Sequence, residues 1–80
     1  MIFGKKLLSE RKKYNLSAQD LAKACGVSRS YITLIENGRR LPGIKVLPKI
    51  AEALGLKTDI VLNWYLEDMR KNVKKRLQVE

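Results

Sequence analysis

An all-α domain of five helices is predicted by three observations. Apolar residues recur at spacings of three and four along most of the chain. Glycines at 26, 38 and 55 punctuate those stretches. No run alternates apolar and polar residues as a half-buried strand would, and no hairpin signal or internal repeat is visible.

The first helix opens with Phe3, Leu7 and Leu8 on one stripe that continues to Tyr14, with Lys5, Lys6, Lys12 and Lys13 off it. Asn15-Leu16 breaks it. Ser17 is a favourable N-cap for a second helix, Ala18 to Cys25, and Asp20 sits three residues on, where a capping box needs its acceptor. Leu21, Ala22 and Cys25 face inward, and Gly26 closes the helix with a turn that favours positive φ. Ser28 caps a third helix, with Ile32 and Ile35 inward, which stops at Asn37-Gly38. A basic loop, Arg39-Arg40-Leu41-Pro42-Gly43, leads to a fourth helix from about Val46 to Leu54, with Pro48 tolerated in its first turn. The fifth runs from Thr58 to about Leu77, capped by Thr58 or Asp59. Ile60, Val61, Trp64 and Tyr65 begin one apolar set. Leu62, Leu66, Met69, Val73 and Leu77 form a second, which either finishes the core or pairs with another copy.

Composition narrows the function. Eighty residues make one small domain, burying only ~60% of its unfolded surface. A single cysteine, Cys25, excludes an internal disulfide framework and a cysteine-built zinc site. The lack of histidine excludes histidine-ligated metals and Ser-His or Cys-His nucleophiles. Cys25 reads as a small buried hydrophobe. Glu67 and Asp68, the only adjacent carboxylates, cannot converge on one substrate atom from neighbouring helical positions, and read as a solvated pair. No catalytic constellation is present and no cofactor is implied. No apolar run approaches the ~20 residues of a membrane span and no leader precedes the domain, so a cytoplasmic location is expected. Seventeen Lys and Arg against eight Asp and Glu leave +9. That excess fits a polyanion partner; a charge kept for solubility and an anionic membrane surface are the other readings.

Residues 18–37 supply the deciding pattern. Two short helices joined through one glycine make a helix-turn-helix. Ala22 lies where the helices cross, Gly26 makes the turn, and Ile32 and Ile35 pack the second helix onto the first, with Leu21 and Val27 completing the small core.

With Leu7, Arg11-Lys12, Leu16-Ser17, Leu21-Ala22, Gly26-Val27-Ser28-Arg29-Ser30-Tyr31-Ile32, Ile35-Glu36-Asn37-Gly38, Pro42 and Ile50-Ala51-Glu52-Ala53-Leu54-Gly55 in these places, the chain resembles the phage-repressor-like DNA-binding domains (Cro/repressor type, XRE family) from about Ile2 to Leu66. The resemblance implies a five-helix lambda-repressor-like domain over residues 1–66, with a basic helical extension over 67–80. It also implies that the third helix enters the major groove of double-stranded DNA.

At ~100° per residue, Ser30, Thr33 and Leu34 oppose the Ile32–Ile35 face, with Arg29 at its flank. These are the expected base-reading residues: Arg29 offers paired donors to guanine, Ser30 and Thr33 donate or accept, and Leu34 meets a thymine methyl or a protein partner. Expected phosphate contacts are Ser17 and Gln19 at the N-terminus of the second helix, the half-packed Tyr31, and Asn37, Arg39 and Arg40 in the following loop. Where the family commonly has glutamine at the first position of the second helix, this chain has Ala18; Gln19 is one place late and turned by ~100°. Arg11 and Glu36 are implied to form a structural ion pair. A lone module of this size seldom gives enough specificity, so a homodimer is expected, with Leu62, Leu66, Met69, Val73 and Leu77 as its candidate contact. Arg70, Lys71, Lys74, Lys75 and Arg76 are a solvated face or a further hold on DNA. The other reading is a protein-interaction module of the same fold, an antitoxin or bridging factor in a larger complex. A basic nucleic-acid binder without sequence choice is a third.

Overall fold

The computed structural model describes residues 1–78, so the last two positions of the predicted 67–80 extension lie outside the described residues. Within them the fold is all-helical: α1 (Ile2–Lys13), α2 (Ala18–Cys25), α3 (Arg29–Glu36), a single 3-10 turn (Ile44–Val46), α4 (Leu47–Leu54) and α5 (Thr58–Gln78). Several boundaries have a clear local cause. The Ser17 hydroxyl accepts the Asp20 N–H at 2.9 Å while the Asp20 carboxylate accepts the Ser17 N–H at 3.4 Å, so both halves of the capping box form. Ser28 caps α3 through the Tyr31 N–H at 3.1 Å. Gly26 and Gly55 end α2 and α4 in left-handed conformations (φ +68° and +66°) that a side chain would oppose. Pro48 stands in the first turn of α4, where its missing N–H costs nothing.

The core gathers one face from every helix: Phe3 and Leu7 of α1, Leu21, Ala22 and Cys25 of α2, Ile32 and Ile35 of α3, Leu47, Ile50, Ala51 and Leu54 of α4, and Val61 and Trp64 of α5. Phe3 and Trp64 meet edge to face with centroids 5.7 Å apart.

The sequence expectations need three corrections. Tyr14 is exposed because α1 ends at Lys13 and the chain turns at Asn15 (φ +57°), which carries Tyr14 off the apolar face. Thr58 and Asp59 do not cap α5; they occupy its first two positions, where Asp59 suits the positive end of the helix dipole, and Ile60 faces solvent. The largest correction is Asp68. It is buried, with 2% of its surface exposed, and accepts the N–H groups of Ile2 at 2.8 Å and Phe3 at 2.7 Å. It falls on the Val61–Trp64 face, seven and four residues on, so helical geometry carries it inward while Glu67 remains in solvent.

Candidate nucleic-acid interface

The α2–turn–α3 unit is held from inside. Val27 N–H reaches back to the Ala22 carbonyl at 3.0 Å, and Ile32 and Ile35 are fully buried. With those two side chains fixed, the opposite face of α3 must point outward. There Arg29, Ser30, Thr33 and Leu34 are all exposed and together line one shallow concavity of about 520 Å³. The four residues expected to read bases therefore share a single continuous surface. Thr33 Oγ1 donates to the Arg29 carbonyl at 3.1 Å, which leaves the hydroxyl its acceptor lone pairs and fixes its rotamer.

The loop after α3 is braced rather than loose. Gly43 N–H donates to the Tyr31 hydroxyl at 2.8 Å, and the Arg40 guanidinium lies 4.5 Å from the centre of the Tyr31 ring, a cation–π stack. Arg40 Nε donates to the Leu41 carbonyl at 3.3 Å, and Arg39 N–H closes onto the Leu34 carbonyl at 2.9 Å. Tyr31 thus organises the basic loop; its hydroxyl proton is left to donate outward. Asn37 is the C-cap of α3, and Gly38 follows at φ +74°. Ser17 and Gln19 lie at the start of α2, where the first N–H groups of a helix have no intrahelical partner and favour an anion. The sequence had missed the Tyr31–Gly43 bond and the Tyr31–Arg40 stack. An aromatic residue nine positions before an arginine is the only trace they leave in it.

Glu36 is the one carboxylate of α3, and it faces away from the concavity. Arg11 Nε donates to Glu36 Oε2 at 2.7 Å and Nη2 to Oε1 at 3.1 Å, a two-pronged pair, while Nη1 donates to the Leu16 carbonyl at 2.8 Å. The bond to Glu36 raises the Arg11 pKa above its ordinary value, against the opposing effect of burial. The negative charge of α3 is thereby cancelled behind the exposed face.

Away from this surface, α5 runs on as one helix past the core. Leu62 leans against the core, whereas Leu66, Met69, Val73 and Leu77 are exposed and, with Arg70 and Lys74, line an apolar groove of about 590 Å³. Among the described residues no cluster of His, Cys, Asp or Glu could hold a metal ion, and no helix is long and apolar enough to cross a membrane.

Known proteins share this arrangement. A family model described as helix-turn-helix matches residues 7–61. The ImmF control region 10 kDa protein of Bacillus phage phi105 is 42% identical over 65 residues, spanning 76% of this chain and 72% of that protein. The restriction-modification controller protein C.AhdI from Aeromonas hydrophila superposes with a TM-score of 0.69 at 32% identity, over 74% of this chain and 89% of its own. The P22 c2 repressor protein, solved in complex with synthetic operator 9T, does so with a TM-score of 0.70 at 26% identity, over 76% and 92%.

Proposed function

The chain belongs to the helix-turn-helix family, as a domain of the Cro/repressor type, and from that premise we propose that it is a sequence-specific regulator of transcription that binds an operator in double-stranded DNA as a homodimer and represses by occupying it. The observation that carries this reading is the shared outward surface of Arg29, Ser30, Thr33 and Leu34 on a short helix whose opposite face is locked into the core. A helix presented this way fits the major groove, with its first residues at base edges. Arg29 supplies the paired donors that suit guanine O6 and N7, Ser30 and Thr33 hydrogen-bond base edges, and Leu34 meets a thymine methyl. Ser17, Gln19, Tyr31, Asn37, Arg39 and Arg40 hold phosphates in this reading, which sets register without reading sequence. The +9 charge strengthens every duplex encounter. The protein acts where the DNA is, in the cytoplasm.

Residues 1–66 are the reading unit and 67–80 its basic C-terminal extension. A second copy covers the exposed row Leu66, Met69, Val73 and Leu77, which lies beyond what the domain's own core needs, with Leu62 at its inner edge. Two copies place two α3 helices about one helical turn of DNA apart, ~34 Å, and read an inverted repeat. The same exposed row and Leu34 favour the second reading, a protein-interaction module with another partner on these surfaces.

Selection of bound duplexes from a random pool, at about 150 mM salt with competitor RNA, separates these readings. An enriched inverted repeat of fixed spacing is the expected result. Half-sites without fixed spacing would remove the dimer and keep the regulator. No enrichment by a folded protein would turn the assignment to the interaction module.

A further inference from the structure

Three contacts converge on the first turn of α1. Asp68 of α5 accepts the Ile2 and Phe3 N–H groups, one on each carboxylate oxygen, across 66 and 65 residues of sequence. One turn earlier on α5, Trp64 packs edge-on against Phe3. From the other side, α3 presses on the same turn so closely that a Cβ at Gly4 would stand 2.3 Å from the Ile35 carbonyl oxygen and 2.9 Å from that of Glu36. The far end of α1 holds the same Glu36 through Arg11. Helix α1 is therefore a strut, gripped by α5 at its N-terminus and by α3 at two points along its length.

We propose that Asp68 is a positioning residue for α5: it fixes the direction in which α5 leaves the domain relative to α3. A carboxylate suits that task better than an apolar side chain of similar size. It satisfies a buried and a partly buried N–H group that would otherwise lack partners, its charge matches the positive end of the α1 dipole, and two separate bonds fix rotation as well as distance. Beyond Asp68, among the described residues, only Asn72 is still half-buried, so the outer part of α5 inherits its direction from this anchor. Leu77 lies nine residues further on, about 13 Å along the helix axis; a swing of roughly 15° at the anchor moves it by about 3–4 Å, close to one base-pair rise. The consequence for half-site spacing rests on the homodimer reading above; the positioning role does not.

The two are tested separately. Nitroxides at Lys23→Cys on α2 and Arg76→Cys on α5, in labelled chain diluted with unlabelled chain, report the direction of α5 by their distance distribution; Cys25 is buried and shielded from label. The wild-type background is expected to give a single narrow distribution. Asp68→Asn, which replaces one acceptor oxygen with a donor, is expected to widen it at least twofold while helicity and single half-site affinity stay within about twofold. A folded Asp68→Asn with unchanged width overturns the proposal. If that variant loses its cooperative melt, Asp68→Glu keeps the charge on a longer arm and is expected to shift the mean distance; an unchanged mean and width overturn the proposal equally. On duplexes with half-sites at varied separations, Asp68→Asn is expected to flatten a wild-type preference of tenfold or more. A widened distribution with no spacing preference in either protein supports the positioning role and counts against the dimer.

Discussion

Glu36→Ala would leave the Arg11 guanidinium largely buried with only the Leu16 carbonyl as partner. Breaking one side of such a pair costs ~3–5 kcal/mol, which in a domain this small lowers the melting temperature by well over 10 °C. Calorimetry checks it, and an unchanged melt would contradict a structural role for the pair. Arg29 and Arg39 differ in kind. Arg29→Ala is expected to cost about 1–3 kcal/mol on the specific duplex and little on random DNA, whereas Arg39→Ala weakens all duplexes alike and lowers the salt slope by about one. Cys25 bears on pH rather than on DNA. Burial pushes its thiol up, only partly offset by the nearby Lys49, so the unfolded chain loses this proton at lower pH than the folded one. The stability it contributes is whole below the unfolded thiol pKa and is lost as pH rises through the folded one. A thiol reagent at mildly alkaline pH should therefore modify Cys25 no faster than the protein opens, and rapid modification of the folded protein would refute this. At this scale the sequence was uneven. The Arg11–Glu36 pair is implied by the family resemblance, but Asp68 reads as half of a solvated pair with its neighbour Glu67, because nothing near it in sequence offers a buried donor. Only the partner helix, 65 residues away in sequence, reveals the N–H groups that make it fit.

At the level of elements, the helices were legible because their boundaries are chemical: Ser17 with Asp20, Ser28, and the glycines after α2 and α4 each announce a cap. What α5 does beyond the core was not legible, since a row at spacings of three and four describes a core face and an exposed face equally well. Two glycine substitutions separate the roles those residues hold. Gly26→Ala meets no neighbouring atom and suffers only its φ of +68°, about 1–2 kcal/mol. Gly4→Ala gains helix propensity yet drives a methyl into the backbone of α3, so its net loss should be the larger of the two despite that gain. Thermal melts rank them, and a Gly4→Ala protein as stable as wild type would mean α1 and α3 are not held so closely. Helix α5 makes a further prediction. Arg70, Lys71, Lys74, Lys75 and Arg76 crowd its outer half with Glu67 as the one exposed carboxylate beside them up to Gln78, so pairing of two such helices is opposed by like charge. Dimerisation followed by sedimentation should tighten between 50 and 300 mM salt, while DNA binding weakens over the same range. A dimer that loosens with salt would place its contact elsewhere.

The whole molecule measures 43 × 24 × 22 Å, and its two distinctive surfaces are set on different helices: the reading face on α3 and the apolar row on α5. Helix α1 links them, tied to α3 through Arg11 and Glu36 and to α5 through Asp68. Net charge and motif spacing point to DNA from the sequence alone, but the physical coupling between the two surfaces depends on contacts far apart in sequence. The central claim, that α3 reads bases, is tested most directly by carrying out the random-pool selection in parallel with wild type and Arg29→Ala. The expected result is two consensus sequences alike except at one symmetry-related position in each half-site, where the variant no longer prefers a base pair. An identical consensus from both proteins would show that Arg29, and with it the assigned face of α3, does not read the sequence.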